Sequence, residues 1–165
     1  MALILKEGFE MDGSRALRKR VHALIVEGDE QVYQTLVDNF QEAGYFTDGT
    51  HSGKEAIQMV KEFFYNIAVV EVDLPDMKGL DFLKVIKGIH PDTSVVFITG
   101  NPSVENSVDA LNAGASAFLT KPLEIEEMMQ RTREVLERQK NIMETRELLF
   151  AERKKREFYQ YLSIR

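Results

Sequence analysis

The 165-residue chain contains no cysteine. That excludes disulfides, thiolate nucleophiles and cysteine-based zinc sites together, and it is compatible with a reducing cytosol. Histidine is scarce. His22, His51 and His90 fall in three separate segments without HxxH or HxxxH spacing, so structural or solvated roles are expected rather than metal ligation. Long apolar runs are missing as well: residues 1–5 meet charge at Lys6 and Glu7, and no window approaches about 18 uninterrupted apolar residues. Neither a signal peptide nor a membrane span is expected, and a cytoplasmic location is. Positive charge is also outweighed, with 21 basic residues against 27 acidic ones and a net charge of −6. Such a balance gives no general attraction to nucleic acid or anionic lipid, and the run Arg15, Arg18, Lys19, Arg20 is too short to reverse it. A DNA-binding reading lacks both a helix-turn-helix segment and a basic surface.

With 44% hydrophobic residues, the chain can bury one core and suits one domain with appendages. Residues 1–20 mix Gly, Asp, Ser and basic residues without a period, and read as a loose or short helical extension. From residue 21, short apolar runs alternate with segments of helical period, the pattern of βα units around a parallel sheet. Strands are predicted over 21–27, from 45 onward, over 67–72, 94–99 and 117–120. Asp29 and Ser52 are candidate N-caps, and Gly44 a helix stop. The intervening helices carry apolar faces at Val32, Leu36, Val37 and Phe40, then Ala56, Ile57, Val60 and Phe64, then Phe82, Leu83 and Ile86, then Val104, Val108 and Leu111. Short connections and right-handed crossovers favour a flavodoxin-like, doubly wound α/β fold. Its five-stranded parallel sheet has the order 2-1-3-4-5 and a functional crevice at the carboxyl ends of the strands.

Glu71 ends the run Ile67-Ala68-Val69-Val70 and precedes Leu74-Pro75-Asp76-Met77-Lys78-Gly79. With Gly44-Tyr45, Ser52-Gly53-Lys54-Glu55-Ala56, Phe97-Ile98-Thr99-Gly100, Ala113-Gly114-Ala115 and Phe118-Leu119-Thr120-Lys121-Pro122, this makes residues 21–137 resemble a response-regulator receiver domain. The resemblance implies an acid pair after the first strand and an acceptor aspartate after the third. It also implies a hydroxyl after the fourth strand and a lysine after the fifth. The acids would hold Mg²⁺ while the acceptor takes a phosphoryl group from a histidine kinase.

At the matching positions stand Glu27-Gly28, Glu71, Thr99 and Lys121, with Asp73 at a site that would offer its backbone carbonyl to the ion and Phe118 at the aromatic switch position. Gly28 has no side chain to ligate a metal, and the additional methylene of Glu71 shifts the attacking oxygen in a chemistry where errors of about 1 Å cost about 10²-fold. The metal site Glu27, Glu71, Asp73 is therefore expected to be degenerate and empty, and phosphoryl acceptance lost or severely weakened. A charge-assisted bond from Lys121 to Glu71 would partly mimic an active state or merely hold a static fold, and both readings stay open. So do a permanently buried and a moving Phe118 ring. Two alternatives remain: a working acceptor using Glu71 with Mg²⁺, and a small acid–base enzyme using Glu27, Glu71 and Lys121.

No Gly or Pro follows Pro122, and residues 124–160 are rich in helix formers. Apolar pairs recur every seven residues at Met128-Met129, Val135-Leu136, Ile142-Met143 and Leu149-Phe150, the period of a coiled-coil seam. The first one or two repeats are expected to pack on the domain. Thr132, Gln139, Arg146 and Arg153 at the alternate positions would narrow the seam left for a homodimer. Residues 138–165 read as a continuation of the last helix, leading in related proteins to an output domain. The expected partners are proteins, met through this helix and through the face of the fourth helix, fifth strand and fifth helix.

Overall fold

A computed structural model describes residues 21–164; the extension over 1–20 read from the sequence lies outside the described residues. Strands β1 (His22–Val26), β2 (Phe46–Thr50), β3 (Ile67–Glu71), β4 (Ser94–Thr99) and β5 (Ala117–Thr120) alternate with helices. These are α1 (Glu30–Glu42), α2 (Gly53–Glu62), α3 (Gly79–Ile89), α4 (Val104–Asn112) and α5 (Ile125–Ile164). The sheet is parallel throughout, in the order β2-β1-β3-β4-β5.

The two-residue period of the central strands divides the core in two. Leu24, Val26, Ala68, Val70, Val95 and Phe97 pack with Ala56 and Val60 of α2 and Phe82, Leu83 and Ile86 of α3. Their neighbours Ala23, Ile25, Ile67, Val69, Val96 and Ile98 meet Leu36 and Phe40 of α1 and Met128, Met129 and Val135 of α5. The helix signals act as expected. Asp29 accepts from the Val32 N–H, Ser52 from the Glu55 N–H, and Gly44 ends α1 with φ of 93°.

Three details differ from the sequence reading. Phe64 lies past the end of α2 rather than on its inner face. On α4, Val108 and Leu111 are about half exposed, at 48% and 52%, because that helix lies over the sheet by its small residue Ala110. On α5, Thr132 and Gln139 are buried, so the positions expected to weaken an outer seam instead form the inner stripe against the domain. Gln139 Nε2 donates to the carbonyls of Asn66 (2.6 Å) and Asp92 (2.7 Å), and Arg146 Nη1 pairs with both oxygens of Asp92 at 2.9 and 3.0 Å. Packing thus continues past residue 137, the expected limit of the domain.

Candidate functional site

Parallel pairing aligns the carboxyl ends of the strands. Val26 lies beside Val70, Glu71 beside Ile98, and Thr99 beside Thr120, so Glu27, Glu71, Thr99 and Lys121 emerge along one edge. Backbone bonds from Val72 N to Ile98 O (2.9 Å) and from Lys121 N to Thr99 O (2.7 Å) continue this alignment past the strands.

Lys121 Nζ donates to Glu27 Oε1 at 2.8 Å and to Glu71 Oε1 at 3.1 Å, one ammonium between two carboxylates. The pair to Glu71 foreseen in the sequence is present. The shorter bond to Glu27 is an addition of the tertiary structure, since the sequence only groups both acids near the lysine. Glu71 Oε2 accepts from the Gly28 N–H at 3.0 Å, and Glu27 Oε1 also accepts from the Asp29 N–H at 3.1 Å. Glu27 is fully buried, and its Oε2 has no partner. Burial pushes the Glu27 carboxyl above its ordinary range and the neighbouring Glu71 adds to this, against the opposing bonds from Lys121 and Asp29. Desolvation alone would lower the Lys121 ammonium, but its bonds and charges with Glu27 and Glu71 prevail and raise it, so it remains a cation at neutral pH.

The other singled-out residues lie around this pair. Thr99 is buried, with Oγ1 accepting from the Asn101 N–H at 3.1 Å. Phe118 is half-buried, its ring edge-on to Phe97 with centroids 6.4 Å apart. Asp73 is exposed, and its backbone bridges to Lys78. Two residues that the sequence does not assign to the site shape its rim. His51 Nδ1 lies 2.8 Å from the carbonyl oxygen of Glu27 and Nε2 lies 3.0 Å from Glu30. The Asp76 carboxylate receives N–H bonds from Lys54 and Gly53 and the Ser52 hydroxyl, which hold its pKa down at about 2 and clip the loop after β3 to the start of α2. A helix start lined by free N–H groups was the available signal for Asp76; nothing local marked His51.

Magnesium requires about six oxygens in near-octahedral geometry at about 2.0–2.1 Å. Here Glu27 Oε1 and both Glu71 oxygens are engaged, Gly28 contributes no side chain, and of the four oxygens of these two carboxylates Glu27 Oε2 alone is uncommitted. Among the described residues no group of three or more His, Asp or Glu side chains is arranged to hold a metal ion. The donor set does not fit Mg²⁺.

The fold and the edge-of-sheet arrangement agree with a family match over residues 23–133, described as the response regulator receiver domain. The chain belongs to this family. The receiver is 33% identical over 115 residues to the uncharacterized transcriptional regulatory protein YkoG of Bacillus subtilis, a match covering 70% of this chain and 50% of that one. It is 32% identical over 120 residues to the response regulator MprA of Mycobacterium tuberculosis, covering 73% and 52%. This receiver therefore spans about half the length of these curated relatives. Among solved structures it resembles a CheY-like receiver domain protein from Methanospirillum hungatei, with a TM-score of 0.71, 29% identity, and 73% and 97% of the two chains covered. It also resembles the beryllofluoride-activated NtrC4 receiver domain dimer, with a TM-score of 0.69, 33% identity, and 72% and 98% covered. Among the described residues no helix is long and apolar enough to cross a membrane.

Proposed function

We propose that this receiver is a signalling module of a two-component system that works without phosphoryl transfer to Glu71, acting through protein contacts and relaying through α5. The observation that supports this most directly is the closed charge pattern at the strand ends. Lys121 serves both acids, and the second oxygen of Glu71 is held by the Gly28 N–H. An attacking carboxylate must be free to approach phosphorus, and the incoming oxygens need a cation that is not already shared. Glu71 in this state resembles a permanently occupied position, with about one negative charge where a phosphoryl group would bring nearly two.

Partners would engage the half-exposed Val108 and Leu111 of α4, the half-buried Phe118 of β5, and α5. The distal part of α5 would lead to an output domain or pair with a second copy in the cytoplasm. We read the chain as a signalling module rather than an acid–base enzyme, because an ammonium held charged between two carboxylates is a poor general base.

Incubation with acetyl phosphate and Mg²⁺, followed by intact-mass measurement, tests the proposal. The expected mass is unchanged. A stoichiometric gain of one phosphate that disappears in Glu71→Gln would establish the working-acceptor alternative instead.

A further inference from the structure

We infer that Gly28 and Glu71 are a matched pair: the missing side chain at 28 is what admits the longer acid at 71, and the two together keep a divalent cation out. This pairing rests on distances at the site and holds whether or not phosphoryl transfer is disabled.

A Cβ placed on Gly28 would lie 3.1 Å from both Cγ and Cδ of Pro75 and 3.3 Å from Glu71 Oε2. Contacts this close require a neighbour to give way. Pro75 is poorly placed to do so, because the adjacent Asp76 is tied to Ser52, Gly53 and Lys54 by bonds of 2.8–2.9 Å. The group that can retreat is the Glu71 carboxylate, and retreat would cost it the 3.0 Å bond from Gly28 N. A shorter acid at 71 would withdraw its oxygen by about one C–C bond, roughly 1.5 Å, relieving the Glu71 contact and leaving only the Pro75 contacts, which are common to both acids. The side chain of Glu71 therefore fills the room that a third acid would take.

The electrostatics follow the same division. Buried Glu27 and adjacent Glu71 need a cation, and the Lys121 ammonium supplies it at 2.8 and 3.1 Å. With the third oxygen donor absent and its place taken by Glu71 Oε2, two carboxylates and one lysine are closer to charge balance and leave no cage for Mg²⁺. The lysine is the resident cation of the site. Either substitution alone leaves the mismatch: an acid at 28 collides with Glu71, and a shorter acid at 71 leaves the position above Gly28 without a ligand.

A double-mutant cycle on the full chain tests this, read by urea unfolding with and without Mg²⁺. Gly28→Ala is expected to lower the folding equilibrium constant about tenfold more in the wild-type background than in Glu71→Asp. The effect of alanine on the unfolded chain is the same in both backgrounds and cancels. In the second arm, Mg²⁺ is expected to raise the unfolding midpoint of Gly28→Asp/Glu71→Asp and to leave the wild type and both single variants unmoved. Equal effects of Gly28→Ala in the two backgrounds would overturn the pairing. So would an Mg²⁺-dependent rise in either single variant, or none in the double variant. The alanine cycle decides the question even where the Gly28→Asp variants do not fold.

Discussion

At the scale of the residue, Glu27 is a carboxylate in full burial, its pKa raised by desolvation. Removing an ion from water costs several kcal/mol, and Lys121 is the charge that offsets it. Lys121→Met should therefore destabilise the fold by about 3–5 kcal/mol in urea unfolding, as expected when one partner of a buried pair is removed. Adding Glu27→Gln to that variant should recover a substantial part of the loss, because the orphaned charge is then absent. If the double variant is no more stable than Lys121→Met, the offset does not arise at Glu27. The pH response follows from the same residue. Because the folded carboxyl binds its proton more tightly than the unfolded one, the folded state holds more protons above pH 4.5, and this contribution to stability is lost as pH rises through the elevated value. Glu27→Gln should flatten that decline in a series of unfolding midpoints taken upward from pH 4.5.

At the scale of the element, α5 combines two behaviours in one unbroken helix of 40 residues, about 60 Å long. Its first turns are fixed by Met128, Met129, Thr132 and Val135 in the core. Gln139 then closes the amino end of the sheet by capping carbonyls that precede β3 and β4, and Arg146 ends the contact at Asp92. Gln139→Ala should cost about 1–3 kcal/mol in urea unfolding, since buried acceptors lose their donor. A change within about half a kcal/mol would mean that water replaces the amide without loss. The exit direction of α5 is thus set at the end of the sheet opposite Glu71.

At the scale of the whole molecule, the distal half of α5 leaves Leu148, Leu149, Phe150, Phe158, Tyr159, Tyr161 and Leu162 exposed. A set of large apolar groups this dense on a projecting helix favours association with another helix. Sedimentation velocity over a concentration series should show self-association of the full chain, lost on truncation after Arg146. A chain that stays monomeric throughout would leave this surface to a different partner or to a following domain.

Alternation of apolar residues, caps at Asp29 and Ser52 and the stop at Gly44 are local signals, and they were enough to determine the strand count, the helix positions and the parallel architecture. That Glu27, Glu71, Thr99 and Lys121, picked out by the resemblance, would share one edge was likewise legible, because in a parallel sheet each follows its strand to the same end. Several features depended on the approach of residues distant in sequence. Gly28 and Glu71 meet across 43 positions and Lys121 and Glu27 across 94, and no local period encodes how far a side chain reaches into shared space. The same holds for Gln139. A polar residue at a heptad position reads as a weak seam until the fold brings the Asn66 and Asp92 carbonyls within 2.6 and 2.7 Å of its amide. Sequence by itself determined which elements form and which residues share an edge. Tertiary packing alone decided which oxygen each donor would find, because hydrogen bonds and steric fit are settled over a few tenths of an ångström.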